Sequence, residues 1–120
     1  MTEHVNVLGT DYRIIVRKYD EDARFRERSI DGYCDAMLKE LVICDMRTWP
    51  EWVKEPDDYI DACQRQTLRH EIVHAFFHES GLADSSFKVD CPWANNEEMV
   101  DWIASQGAKI HAAWQAAGAL

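Results

Sequence analysis

The chain has 120 residues, of which 47% are hydrophobic, so it can bury one core and we expect a single domain over residues 1–120. Its 13 basic and 22 acidic residues give a formal net charge of −9. Nucleic-acid-binding proteins and polybasic membrane-surface modules both need clustered Lys and Arg, so this balance argues against either kind of partner.

The sequence carries no pattern typical of export or membrane insertion. Its first residues lack the basic segment and long apolar run of a signal peptide. No apolar run approaches the roughly 18 residues that a membrane-spanning helix needs. The four cysteines are widely spaced without a CxxC pair, which predicts reduced thiols rather than a zinc ribbon or a thioredoxin-type site. We therefore expect a cytoplasmic protein.

The N-terminal region predicts strands. Residues 5–8 and 12–17 are partly β-branched and apolar, and Gly9-Thr10 between them indicates a bent strand or a tight hairpin. Residues 18–31 are mostly charged and predict a solvated loop. The following stretch, 32–45, predicts two short extended pieces around its middle, the second of which is the better strand.

A long helix is predicted next. Pro56 and the two aspartates after it form a good helix start, because proline suits the first turn and acids suit the positive end of the helix dipole. We expect this helix over residues 57–80, with Gly81 as its C-terminal stop. Residues 68–77 are apolar on nearly every side, which predicts a buried helix.

A second helix follows a predicted loop over residues 82–93. Asn95 or Asn96 is its expected N-cap, and Gly107 leaves open whether the helix continues beyond it. Its predicted core face consists of apolar residues at helical spacing: Met99, Ile103, Ile110 and Trp114. Because the predicted strands precede the predicted helices, we expect an α+β fold. Its small antiparallel or mixed sheet should pack on the buried helix and on this second one.

The most informative stretch is His70-Glu71-Ile72-Val73-His74, an HExxH pattern inside the first predicted helix. Residues four apart share one helical face, about 6 Å apart along the axis, so the two imidazoles can converge on one metal ion. Glu71 flanks that ion and can take a proton from water at its open position. Burying these polar groups is costly unless something compensates them, and a metal ion does so directly.

A catalytic zinc site needs a third protein ligand. His78 does not fit, because a third histidine at this spacing lies about 12 Å along the axis from the first. Glu97 and Asp101 are one turn apart and face the same way, whereas Glu98 points about 100° away and suits a capping role. The residues alone leave Glu97, Glu98 and His111 as candidate third ligands.

Residues 96–101, NEEMVD, resemble the second zinc motif, N-E-x-x-x-D, of the gluzincins, the thermolysin-like metallopeptidases. The resemblance implies that Glu97 is the third ligand of one zinc ion and that Asp101 orients a ligating histidine. Residues 97–104 are also similar to the corresponding helix of the small ImmA/IrrE-type metallopeptidases of bacteria and phages. Their order of a small sheet, an HExxH helix and a Glu-bearing helix implies a zincin-like, phage- or prophage-encoded minimal metallopeptidase.

The same resemblance implies a peptide or protein substrate and a Tyr and a His that stabilise the oxyanion. Residues 82–95 contain neither, so His78 and Tyr33 are the candidate contacts to substrate or oxyanion, with His111 as a further one. By analogy with zincin sheets, the hairpin over residues 33–44 is expected to bind an extended peptide by strand addition.

Two other functions compete with hydrolysis. A metal-binding protein without turnover would keep the ion for folding or for a partner surface, and Glu71 would then be dispensable. An acidic interaction module that mimics nucleic acid ranks last, because the histidine pair contributes nothing to it.

Overall fold

The computed structural model describes residues 2–83 and 93–120, and over these residues it forms an α+β fold with a four-stranded mixed sheet and three helices. The predicted fold class is confirmed. The strands are β1 His4–Val7, β2 Thr10–Lys18, β3 Gly32–Asp35 and β4 Glu40–Asp45, and the helices are α1 Ala23–Arg28, α2 Asp57–Glu79 and α3 Glu97–Ala116. The predicted loop over residues 82–93 falls mainly outside the described residues.

The sheet has the order β1-β2-β4-β3. β1 and β2 form an antiparallel hairpin whose turn residues, Leu8 and Gly9, have positive φ angles of 50° and 91°. Two consecutive positive φ values give the backbone twist that a two-residue hairpin needs. β3 and β4 are also antiparallel, whereas β2 and β4 run parallel. β1 and β3 are therefore the edges of a mixed sheet.

The two faces of the sheet bury different clusters. On one face, Tyr12 and Leu41 pack with Ala75, Leu68 and Ile72 of α2. On the other face, the buried side chains are Phe25 of α1, Val42 and Cys44, with partly buried aromatic and aliphatic neighbours: Ile15, Tyr19, Ile30, Tyr33 and Trp49. The sheet is thus covered by α2 on one side and by α1 with its flanking turns on the other.

The prediction of a solvated loop over residues 18–31 is wrong, because this stretch contains α1. Asp22 caps the helix by accepting a hydrogen bond from the backbone N–H of Arg24, and Phe25 is completely buried against the sheet. A single apolar residue per two turns gives no periodic signal in a charged segment, yet burying one Phe is enough to fix a short helix.

The predicted bounds of the long helix are accurate within one residue. α2 follows Pro56, ends at Glu79, and is followed by Gly81 with a φ of 81°. Its buried residues fall at helical spacing along the side that faces the sheet: Ile60, Gln64, Thr67, Glu71 and Ala75. The predicted burial of the whole 68–77 segment is wrong, since Phe76 is 40% exposed and most of its neighbours are half-buried.

Asn96 caps α3 with a side chain that accepts a hydrogen bond from the backbone N–H of Met99, and the helix continues through Gly107 without a break. Its buried residues are Val100 and Ala104, so the predicted core face is wrong. Trp114, assigned to that face, is 52% exposed. In the described parts of the chain, α2 and α3 included, no helix combines the length and apolar character needed to cross a bilayer.

Candidate metal centre

The candidate centre lies where α3 crosses the side of α2. Three contacts join the helices at intervals of one turn, between Gln66 and Ser105, His70 and Asp101, and His74 and Glu97. The residue numbers rise on one helix as they fall on the other, so the two helices run antiparallel. This arrangement brings the i and i+4 histidines of α2 against the i and i+4 carboxylates of α3.

Three side chains converge on one point. The Nε2 atoms of His70 and His74 are 3.1 Å apart. Oε2 of Glu97 is 2.9 Å from Nε2 of His70, and its Oε1 is 3.1 Å from Nε2 of His74. The two imidazole rings meet edge to face, with their centroids 4.8 Å apart.

This triangle has the dimensions of a tetrahedral metal site. Bonds of about 2.0–2.1 Å at tetrahedral angles separate ligand atoms by about 3.3 Å, which is close to the separations observed here. Without a cation, only one of the two facing Nε2 atoms can carry a proton directed at the other. The second Nε2 then presents its lone pair to the neighbouring imidazole. Two imidazoles and a carboxylate are also the donor set that zinc takes in catalytic sites.

Asp101 determines which nitrogen of His70 faces the centre. Its Oδ1 lies 2.5 Å from Nδ1 of His70, so Nδ1–H donates to the carboxylate and the Nε2 lone pair points toward His74 and Glu97. A carboxylate behind a ligating imidazole fixes the tautomer and the ring orientation and makes the ligand more basic.

Glu71 is set back from this triangle. Its side chain is 7% exposed, and its Oε1 lies 3.9 Å from Nε2 of His70. The ligand atoms of His70, Glu71 and His74 all lie within 4.8 Å of one another, so this group could hold a metal ion. Because Glu97 approaches both imidazoles more closely, it is the better third ligand, and Glu71 remains available for proton transfer.

Burial and charge shift the pKa values in this cluster. Burial raises the pKa of Glu71 to about 7, with the negative charges of Glu97, Asp31 and Asp101 adding to the rise and His70 opposing it. Burial also lowers the pKa of His74. For His70 burial acts in the same direction, but Glu71 and Asp101 outweigh it and raise the pKa. A carboxyl group with a pKa near neutrality is suited to accept and return a proton.

The centre opens into a cleft of about 690 Å³. The edge strand β3 forms one wall, and the centre with its neighbours on α2 forms the other. His78 and Asn95 line the cleft on one side of the histidine pair, whereas Asp31 and Thr67 line it on the other. His78 is therefore within the cleft, one turn beyond His74, as a polar contact to substrate requires.

Tyr33 does not direct its hydroxyl group into this cleft. The hydroxyl donates to Asp22 over 2.5 Å and accepts from Arg17 over 2.8 Å, and the ring packs with Phe25 on the far face of the sheet. Side chains alternate along a strand, and Cys34, the next residue of β3, packs against α2. The expected contact between Tyr33 and an oxyanion is therefore not supported.

The remaining candidates lie away from the centre. Glu98 is exposed beside Glu97, and the N-cap role belongs to Asn96. His111 is exposed and lies 14 residues after Glu97 on the same helix, which is about 21 Å along the axis. Neither can join the two histidines of α2.

Sequence patterns did not indicate the first part of the β3 wall, Asp31 and Gly32. Asp31, placed in the predicted loop, accepts a hydrogen bond from Oγ1 of Thr67 over 3.0 Å. Gly32 lets α2 approach β3 closely, since a Cβ there would lie 2.7 Å from Cγ2 of Thr67. A glycine before a predicted strand was the one available signal, because a missing side chain often marks close packing.

In comparisons with known proteins, no family model matches the chain, and neither a curated protein nor a solved structure gives a significant match. The functional assignment therefore depends on the geometry of this centre.

Proposed function

We propose that the protein is a zinc-dependent metallopeptidase that hydrolyses peptide bonds, with His70, His74 and Glu97 as the metal ligands. The observation that carries this proposal is the convergence of Nε2 of His70, Nε2 of His74 and Oε2 of Glu97, which are 2.9–3.3 Å apart, beside a buried carboxylate at the wall of a cleft. The donor set leaves a fourth tetrahedral position open, as hydrolytic zinc sites do and structural ones do not.

When bound, zinc supplies a Lewis acid that lowers the pKa of a coordinated water toward about 7 and polarises the scissile carbonyl. The chain's own residues hold that ion and move the proton. His70 and His74 present neutral nitrogen lone pairs, and Asp101 keeps His70 in the required tautomer through Nδ1–H. Glu97 contributes the negative charge that the two imidazoles lack.

Glu71 is the proposed general base. Its buried carboxyl accepts the proton of the attacking water and later transfers it to the nitrogen of the leaving amine. In the metal-free protein, burial raises the pKa of this carboxyl to about 7, so both of its protonation states are accessible near neutral pH. Its 3.9 Å separation from Nε2 of His70 leaves it close to the centre without making it a ligand.

The edge strand β3 supports a peptide as the substrate. The backbone N–H of Cys44 donates to the carbonyl of Asp31 over 2.8 Å, so these two residues form a hydrogen-bonded pair. In an antiparallel ladder such pairs alternate with pairs whose backbone groups point outward. The backbone N–H and C=O of Gly32 and Cys34 then point away from β4, toward the free edge. An extended peptide pairing with them would run along the cleft past the metal ligands.

The test is Glu71→Gln, assayed for zinc content and for cleavage of a mixed library of quenched fluorescent peptides. The proposal predicts that the variant keeps its zinc and loses hydrolysis, while His74→Ala loses both. Glu98→Gln is the matched control, because it removes an exposed carboxylate beside Glu97 and should change neither. Zinc binding without cleavage in the wild-type protein would instead support the metal-binding function without turnover.

A further inference from the structure

The apolar stripe of α3 contributes no fully buried residue to the core. Met99, Ile103, Ile110 and Trp114 recur at spacings that place them on one side of the helix. The buried residues, Val100 and Ala104, lie on a different side, the one that also carries Glu97 and Asp101. The metal centre therefore fixes the rotation of α3 and leaves its most apolar stripe half-buried or exposed.

This stripe borders a groove between α2 and α3 with a volume of about 380 Å³. Apart from Arg69, the groove is lined by apolar or small residues, including Phe76 and Val73 of α2 and Ile103 and Gly107 of α3. A Cβ at Gly107 would meet nothing within 4 Å, so the groove is open at this point. Glycine within a helix costs about 0.5–1 kcal/mol relative to alanine, and here no contact among the described residues requires it.

Beyond the groove, α3 extends away from the rest of the protein. Residues 111–120 are all exposed. Among the described residues, the last side-chain hydrogen bond from α3 to α2 joins Ser105 to Gln66. The last helical residues, 111–116, therefore have no packed face, and Trp114 among them is exposed to solvent.

The charge distribution favours a second copy of this chain on this face. Residues 102–120 contain no Asp or Glu and only one Lys or Arg, Lys109, in a chain whose net charge is −9. Two copies of this acidic chain repel each other over most of their surfaces. This face carries almost no charge, so it adds little to that repulsion. The same face offers both an apolar ridge, which ends at Trp114, and an apolar groove, which contains Phe76, so it is complementary to itself.

We propose that two copies of the chain form a twofold dimer, with the Ile103–Trp114 ridge of each α3 seated in the α2–α3 groove of the other. An interface that uses one patch twice closes on itself and stops at two copies. The ridge spans 12 residues, or about 18 Å, so the buried area falls in the small class, below about 1,200 Å² in total. The dimer is therefore reversible and depends on protein concentration.

The test is sedimentation velocity over a wide concentration range, using two matched tryptophan variants. Trp114 and Trp102 are on the same helix and are 52% and 58% exposed, but only Trp114 lies on the ridge. Trp114→Lys should weaken the dimer at least tenfold, and Trp102→Lys should leave its dissociation constant within about twofold of wild type. Phe76→Lys tests the groove side, and far-UV circular dichroism checks that each variant is folded.

A wild-type protein that stays monomeric at every concentration would overturn the proposal and indicate a different occupant of the groove. A dimer that survives Trp114→Lys, or one that both tryptophan variants disrupt equally, would also overturn it.

Discussion

Two glutamates on α2, two turns apart, have opposite environments. Glu79 accepts hydrogen bonds from Nζ of Lys39 over 2.6 Å, from the hydroxyl of Tyr12 over 2.7 Å and from Oγ1 of Thr10 over 2.9 Å. The bonds from Lys39, Tyr12 and Thr10 lower the pKa of Glu79 to about 2. Glu71 is more deeply buried, and its pKa rises to about 7.

The difference separates a structural carboxylate from one suited to chemistry. Glu79 is charged at neutral pH and ties the C-terminal end of α2 to β2 and to the turn before β4. Glu71 is held at the edge of a cleft, where its protonation state can change near neutral pH. The same side chain on the same helix thus takes different roles according to the donors around it.

The largest expected effect distinguishes these roles directly. Glu71→Gln should reduce peptide hydrolysis by about 10²- to 10⁴-fold, because it removes the general base. Glu79→Gln should leave the rate within about twofold, since that carboxylate is bonded to Thr10, Tyr12 and Lys39 and is not among the residues that line the cleft. Steady-state kinetics on one peptide would measure both, and equal losses in the two variants would contradict the distinction.

Asp101→Asn should have the next largest effect. The amide cannot hold Nδ1–H of His70 as the carboxylate does, so zinc affinity should fall by about 10- to 100-fold. Competition with a fluorescent chelator measures that affinity. Glu98→Gln is the control for lost negative charge on α3, and an equal loss there would mean that Asp101 acts only through its charge.

Gly32→Ala examines the packing beside Glu71. The added methyl group would lie 2.7 Å from Cγ2 of Thr67 and 2.9 Å from the carbonyl oxygen of Val42, so α2 and β3 must separate. Overpacking of this kind costs about 1–3 kcal/mol in the free energy of unfolding. Urea denaturation measures it. Gly107→Ala is the matched control, because a Cβ there would meet nothing within 4 Å, and it should not destabilise the monomer. Gly9 is unsuitable as a control because its φ is positive.

The smallest effect concerns the pH dependence of stability. The folded-state pKa of Glu79 is depressed from 4.5 to about 2, so its stabilising contribution is complete above pH 4.5 and is lost as the pH falls toward 2. Glu79→Gln should therefore lower the melting temperature at neutral pH. The difference from wild type should shrink as the pH falls through this window, and a constant difference would contradict the role given to the carboxylate.

Local signals were enough to predict much of the fold and of the site. Pro56 and Gly81 mark the ends of α2, and the i, i+4 spacing of His70 and His74 requires only a helix to bring them together. Glu97 and Asp101 follow the same rule on α3. Residue spacing alone could not predict that α2 and α3 pack against each other, because that contact depends on tertiary structure.

The incorrect predictions have a common cause. α1 depends on Phe25 alone, which has no periodic partner and is buried against β4, a strand that follows it in the chain. The rotation of α3 is set by Asp101 and Glu97 facing α2, not by its apolar stripe. Each depends on a contact between segments far apart in the chain, which hydrophobic patterning does not encode.

The central claim is that His70, His74 and Glu97 hold one metal ion, and calorimetric titration of zinc into metal-stripped protein tests it most directly. The account predicts one ion per chain in the wild-type protein, with proton release on binding, and near loss of binding in His74→Ala. Wild-type protein that binds no zinc, or a His74→Ala variant that binds it as tightly as wild type, would contradict the account.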